Sequence, residues 1–119
     1  MPSIQERLEQ MQDYIKSGRV LEAMREFYAQ DCAMQENANP PCVGLPANIE
    51  REKQFLAQVK EWKGYTVKAL AARGDVGFVE SAMDFINQQG QPVHMEQVSV
   101  TRWRGGKIAH ERFYYNAGK

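Results

Sequence analysis

Apolar and polar residues repeat with two periods along this chain, and the change falls near Gly64. Before it the period is helical. Ile4, Leu8, Met11 and Ile15 form one apolar stripe, with Tyr14 beside it. Ser3 and Glu6 match a capping box, in which the two residues satisfy each other's backbone N–H groups. Gly18 suits the position just past a helix end. The first helix is therefore expected over 3–17. Val20, Leu21, Met24, Phe27 and Tyr28 predict a second over 19–30. Residues 32–37 read as a short strand, and Pro40 and Pro41 interrupt any ladder because proline lacks the N–H. A third helix is expected over 46–62, with Ile49, Phe55, Leu56, Val59 and Trp62 at helical spacing.

After Gly64 the period shortens to that of strands. Four are expected, over 65–72, 76–87, 92–104 and 107–116, with turns at 88–91 and Gly105-Gly106. Helices first and strands second predict an α+β fold rather than alternating βαβ units. Short turns make the last three strands antiparallel neighbours. The two longest strands carry apolar residues on both faces. One face of 76–87 presents Phe78, Glu80, Ala82 and Asp84; the other presents Val79, Ser81, Met83 and Phe85. A sheet that is apolar on both sides needs cover on both. Three helices cover one side. A second subunit is the economical cover for the other, which predicts a homodimer through Val79, Met83, Phe85, Val98, Val100 and Tyr114.

Length and charge narrow the functional classes. The 119 residues suit one domain, taken as 1–119. Fifteen basic residues balance 15 acidic ones, so no basic excess exists to neutralise a phosphate backbone, and nucleic acid is not expected as a partner. Neither a signal segment nor a run long enough to span a bilayer stands out, so the expected location is the cytoplasm, with no membrane partner. Cys32 and Cys42 read as reduced thiols. No nucleophile motif, phosphate loop or dinucleotide fingerprint occurs, and no cofactor is implied.

The run from Phe27-Tyr28-Ala29-Gln30-Asp31 to Asn37, then Pro40-Pro41 and Gly44, resembles a segment of the nuclear transport factor 2-like superfamily. The tail from Val98 through Trp103, Gly105-Gly106-Lys107-Ile108 and Tyr114-Tyr115-Asn116 is similar to the ending of its SnoaL-like and ketosteroid isomerase-like branches. The resemblance implies a cone: a curved antiparallel sheet wrapped around three N-terminal helices, with an internal pocket. It also implies positions. Asn37 matches the carboxylate base of ketosteroid isomerases. Tyr14 falls near their helix tyrosine, and Ser99 matches their protonated aspartate. Two of those three positions thus depart from the steroid isomerase pattern.

With Ser99 facing the pocket, alternation places Gln97 beside it. The expected lining is Tyr14, Asn37, Glu80, Asp84, Gln97, Ser99, Glu111 and Tyr115, with Phe55, Met95 and Phe113 as apolar wall. Two acids in one apolar pocket split their pKa values into an acid and a base. Glu80 and Glu111 are therefore the candidate general acid and base, and Tyr14 or Gln97 the donor to a developing oxyanion. His94 and His110 fall on the outer face among Glu96, Arg102 and Arg112, where ion pairing is expected. With histidines and pocket acids on opposite faces, no metal site is expected. Three readings follow. The chain is a cofactor-free isomerase, cyclase or dehydratase acting on a small apolar or carbonyl-containing molecule; or it binds such a molecule without chemistry; or it is a dimeric interaction domain.

Overall fold

The computed structural model describes residues 2–116; Met1 and residues 117–119 of the expected domain lie outside the described residues. Helices α1 (Ile4–Lys16), α2 (Val20–Phe27) and α3 (Leu45–Ala57) pack on strands β1 (Tyr28–Glu36), β2 (Cys42–Val43), β3 (Val59–Arg73), β4 (Val76–Asn87), β5 (Pro92–Arg104) and β6 (Lys107–Tyr115). All six strands form one curved, unclosed sheet in the order β2-β1-β6-β5-β4-β3. The expected α+β cone is present. One detail differs. β1 runs parallel to β6, so the sheet is mixed rather than antiparallel throughout.

Local chemistry explains most of the boundaries. The Ser3 hydroxyl accepts from the Glu6 N–H at 3.1 Å, and the Glu6 carboxylate accepts from the Ser3 N–H at 3.1 Å, closing the capping box of α1. Helix α2 stops at Phe27, short of the expected 30, because Tyr28 turns to extended backbone and pairs with Ile108 of β6. Helix α3 stops at Ala57 for a similar reason. Val59 and Trp62 fit a pleated surface and pair with Asn87 and Phe85 of β4. β3 is an edge strand, and its ladder to β4 shifts register at three places.

The core lies between α1, α2 and the concave sheet face. Leu8, Met11, Met24, Phe27, Val79 and Ile108 are buried there. Gly77 shows how closely α1 approaches: a Cβ built on it would sit 2.2 Å from Leu8 Cδ1. Asn48 of α3 is buried, and its Nδ2 donates to the Cys42 carbonyl at 3.0 Å and the Gly44 carbonyl at 2.9 Å. That amide fastens the start of α3 to β2 and to the turn between them. Cys32 and Cys42 are free thiols. Among the described residues no helix is long and apolar enough to cross a membrane.

The faces of β4 correct the expectation from sequence. A four-residue turn at 88–91 would pair Asn87 with Pro92. In the structure Ile86 pairs with Pro92, and Asn87 closes a longer loop by donating its N–H to the Gln91 carbonyl at 2.9 Å. The one-residue difference exchanges the two faces of the strand. Val79 now pairs with Ser99, Ser81 with Gln97 and Met83 with Met95, all on the concave side. Glu80 and Asp84 consequently lie exposed on the convex side. Val79 and Phe85 are core residues, so neither belongs to an outer apolar surface. The faces of β5 and β6 follow the expected alternation.

Candidate functional site

A cavity of about 390 Å³ lies between α1, α3 and the concave sheet. Its floor is β6 and β5, and each of these strands is paired on both edges, which holds their side chains still. Glu111 rises from the middle of β6 and is 3% exposed. A carboxyl so placed must be paired or hydrogen-bonded. The Tyr28 hydroxyl donates to Glu111 Oε1. Burial pushes the Glu111 carboxyl up to about 7, against the hydrogen bonds from Tyr28 and Ser99 that favour its ionised form; the Glu52 charge adds to the rise. Burial and the adjacent Glu111 carboxyl in turn push the Tyr28 phenol well above its ordinary range.

A second polar group closes the β1 side. Glu36 takes an ion pair from Arg51 and a hydrogen bond from the Tyr115 hydroxyl. The Tyr115 phenol is pushed up to about 12, by that bond first and by burial second. Burial also raises the neighbouring Glu52 carboxyl, with Arg51 working against the rise and Glu36 with it. On the β3 and α1 wall, the Tyr65 hydroxyl donates to Gln12 Oε1 at 2.5 Å. Aromatic rings complete the apolar lining. Phe55 and Trp62 face the cavity, and both pack on Phe85, with centroids 5.6 and 5.5 Å away.

The expected lining sorts into three groups. Glu111, Gln97, Ser99, Phe55, Met95, Phe113 and Tyr115 all border the cavity. Glu80 and Asp84 stand on the convex face, where Asp84 binds His94 at 2.6 Å. Tyr14 and Asn37 are on neither face of the cavity. Tyr14 packs edge-on against Phe27 at 5.4 Å, with the Arg19 guanidinium over its ring. Asn37 sits in the turn after β1 with φ 51°, and its Oδ1 accepts from the Tyr115 N–H at 2.9 Å. It caps the end of the sheet and contributes no group to the cavity.

Residues missed from sequence are Gln12, Tyr28, Glu36, Arg51, Glu52, Tyr65 and Ser81. Each carries a polar group on an element whose exact ends or face decide its direction. Tyr28 reads as helical until β1 is seen to begin with it. Gln12 lies four residues after Leu8, on the buried stripe of α1, and that position was its only signal. Among the described residues no group of three or more His, Cys, Asp or Glu side chains could hold a metal ion.

Comparison with known proteins adds a frame. Residues 8–111 match the SnoaL-like domain family. No curated protein matches the chain in sequence. A Mesorhizobium loti structure, named as a candidate SnoaL-like polyketide cyclase and, in brackets, a carbohydrate phosphatase, shares 25% identity and superimposes with a TM-score of 0.81 over 96% of this chain and 100% of that one. A Catenulispora acidiphila protein of ketosteroid isomerase-like fold, crystallised with trimethylamine, shares 15% identity with a TM-score of 0.79, over 97% of this chain and 88% of that one. A Bacillus subtilis protein named as a candidate isomerase shares 19% with a TM-score of 0.76, over 93% and 84%.

Proposed function

The chain belongs to the SnoaL-like domain family, and on that premise we propose that its cavity takes a small, mostly apolar carbonyl compound and moves a proton on it without a cofactor, with Glu111 as the general acid and base. The carrying observation is the Glu111 carboxyl, 3% exposed and raised to about 7, at the floor of a cavity whose exposed surface is mostly apolar. Near neutral pH such a group is present in both protonation states, the condition for efficient proton transfer in either direction. In its ionised form Glu111 removes a proton from the carbon beside the ligand's carbonyl. The electron pair moves onto the carbonyl oxygen and gives an enolate. Glu111 then returns the proton to a different carbon, which is an isomerisation. After the same first step, closure of the enolate onto a second carbonyl, whose oxygen takes the proton back from Glu111, gives a cyclisation; loss of a β-hydroxyl, which leaves as water with that proton, gives a dehydration.

Tyr28 is a positioning residue in this reading. Its hydroxyl steadies the ionised carboxylate and keeps Glu111 aimed from the sheet. The sequence expectation of Glu80 as partner acid is dropped, since that carboxyl stands on the other face. Binding without chemistry remains the competing reading, and it has its own support: the Tyr28 hydroxyl satisfies the Glu111 carboxyl from within the protein, as it would a purely structural acid. The test is deuterium exchange at the α-carbon of cyclic ketones and enones, 1-tetralone among them, followed by NMR in deuterated buffer. Exchange that disappears in Glu111→Gln supports catalysis. A panel that binds but never exchanges leaves a binding protein.

A homodimer through the convex face belongs to the same proposal. Phe78 and Tyr114 are 40% and 44% exposed there, and Val98 and Val100 share the face with them. Phe78 takes the place of the Val79, Met83 and Phe85 of the sequence expectation, beside Val98, Val100 and Tyr114, which were part of it. With net charge +0, like-charge repulsion would not oppose the pairing of two copies. Sedimentation equilibrium should give a dimer, and Tyr114→Glu with Phe78→Glu should give a monomer. A monomeric wild-type chain sinks this part alone.

A further inference from the structure

We infer that Gln12 is the residue that recognises the ligand's oxygen, held in position by Tyr65, and that the ligand is therefore a neutral carbonyl compound rather than a carboxylate or an amine. The inference deepens the pocket reading above and rests on it.

Three observations carry it. Gln12 is 4% exposed and borders the cavity from α1. Its Oε1 accepts the Tyr65 hydroxyl at 2.5 Å, so the other end of the amide, Nε2, is directed away from that bond. Nε2 has no hydrogen-bond partner among the described residues. Every fully buried side-chain nitrogen or oxygen among those residues does have one, so Nε2 reaches cavity space rather than core. An amide that opens onto the cavity with two N–H groups and no protein partner offers both to an acceptor bound there. Ser81, buried on β4, stands against the same Tyr65 phenol and steadies the chain Ser81–Tyr65–Gln12. Gln97 also borders the cavity, but no hydrogen bond within the described residues orients its amide.

The charges around the cavity set the ligand class. Two cations border the cavity: Arg51 is already engaged by Glu36, so a ligand carboxylate would have to break that pair, and Lys16 is exposed at the end of α1, where solvent screens its charge. The deep carboxyls Glu111 and Glu52 are both shifted toward their neutral forms by burial, which leaves little fixed negative charge for an ammonium group. A neutral acceptor oxygen satisfies Gln12 without disturbing either arrangement. A site built to hydrogen-bond such a group discriminates strongly against an analogue that lacks it.

The test compares 1-tetralone with tetralin, the same two-ring skeleton without the oxygen. Wild-type protein should bind 1-tetralone about tenfold more tightly, the worth of one hydrogen bond of typical strength. The carbonyl stretch of the bound ketone should shift to lower frequency. In Gln12→Leu the binding ratio should fall toward one and the stretch should return, while tetralin still binds. Tyr65→Phe keeps the amide but removes its anchor, and should lower the ratio roughly threefold, part of the same hydrogen bond. A wild-type ratio of one, absence of ketone binding at millimolar concentration, or an unchanged ratio and stretch in Gln12→Leu overturns the inference. Should Gln12→Leu not fold, Tyr65→Phe decides alone, and an unchanged ratio and stretch there overturns it equally. Loss or survival of α-proton exchange in Glu111→Gln is read separately, so failure of the proton-transfer reading leaves this result interpretable.

Discussion

Glu111 and Glu96 stand on adjacent strands of one sheet and differ only in which side they face. On the concave side, burial holds the Glu111 carboxyl up at about 7. On the convex side, hydrogen bonds from Lys68 at 2.6 Å and His94 at 2.9 Å hold the exposed Glu96 carboxyl down at about 2. Two identical side chains thus end up some five pH units apart, because one lost its water and the other gained cations. The concave side makes a carboxyl reactive near neutral pH. The convex side makes one permanently charged.

The sharpest way to break this contrast is to remove one acid from each side. Glu111→Gln should lower α-proton exchange by roughly 10²- to 10⁴-fold, the usual worth of a general acid–base group. Glu80→Gln, on the convex face, should leave exchange unchanged within about twofold, as surface substitutions do. Equal losses would mean that the two faces are not separate chemical environments.

Stability against pH sharpens the contrast next. The folded Glu111 carboxyl titrates near 7 against 4.5 when unfolded. Below pH 4.5 the group is protonated in both states, so the stability linked to it is fully present. That stability is lost as pH rises through about 7, where the folded state must ionise a buried carboxyl. The loss is on the order of 3 kcal/mol, at about 1.4 kcal/mol per pH unit. Denaturant unfolding at pH 5 and pH 8 checks it, and Glu111→Gln should flatten the difference.

Glu96 gives the smallest effect and the opposite sign. Its folded carboxyl is lowered, so the linked stability is present above 4.5 and is lost as pH falls toward about 2. The group is exposed, and salt screens its partners. Adding 0.5 M salt should erase any difference between wild type and Glu96→Gln at pH 5, while leaving the Glu111 effect in place.

Much of this was legible before the structure. The capping box, the helical stripe and the Gly105-Gly106 turn each rest on local chemistry, and each lies where expected. β5 presents the expected face because the family resemblance set Ser99 toward the pocket and alternation carried Gln97 with it. β4 was not legible, because apolar residues occupy both of its sides and alternation alone cannot choose between them. The choice was made by the hairpin loop, where one extra residue moved Glu80 and Asp84 out and Ser81 and Met83 in. Tyr28 was misread because a helix end is decided by what the next residue pairs with, here Ile108, some 80 positions away. Tyr14 matched a family position by its place on a helix, yet Phe27 and Arg19 claim its ring. Gln12 was passed over because a polar residue on an apolar stripe looks like an interruption of the pattern.

The register shifts along β3 bear on how the molecule avoids its own kind. An edge strand of 15 residues offers unpaired N–H and C=O groups on which another chain could grow. β3 breaks that template at three places, and Lys60, Glu61, Lys63 and Lys68 are exposed along its length. An incoming strand would have to follow a kinked path and bury charge at every bend. The edge is in this way guarded against strand-by-strand polymerisation, even though the sheet never closes into a barrel.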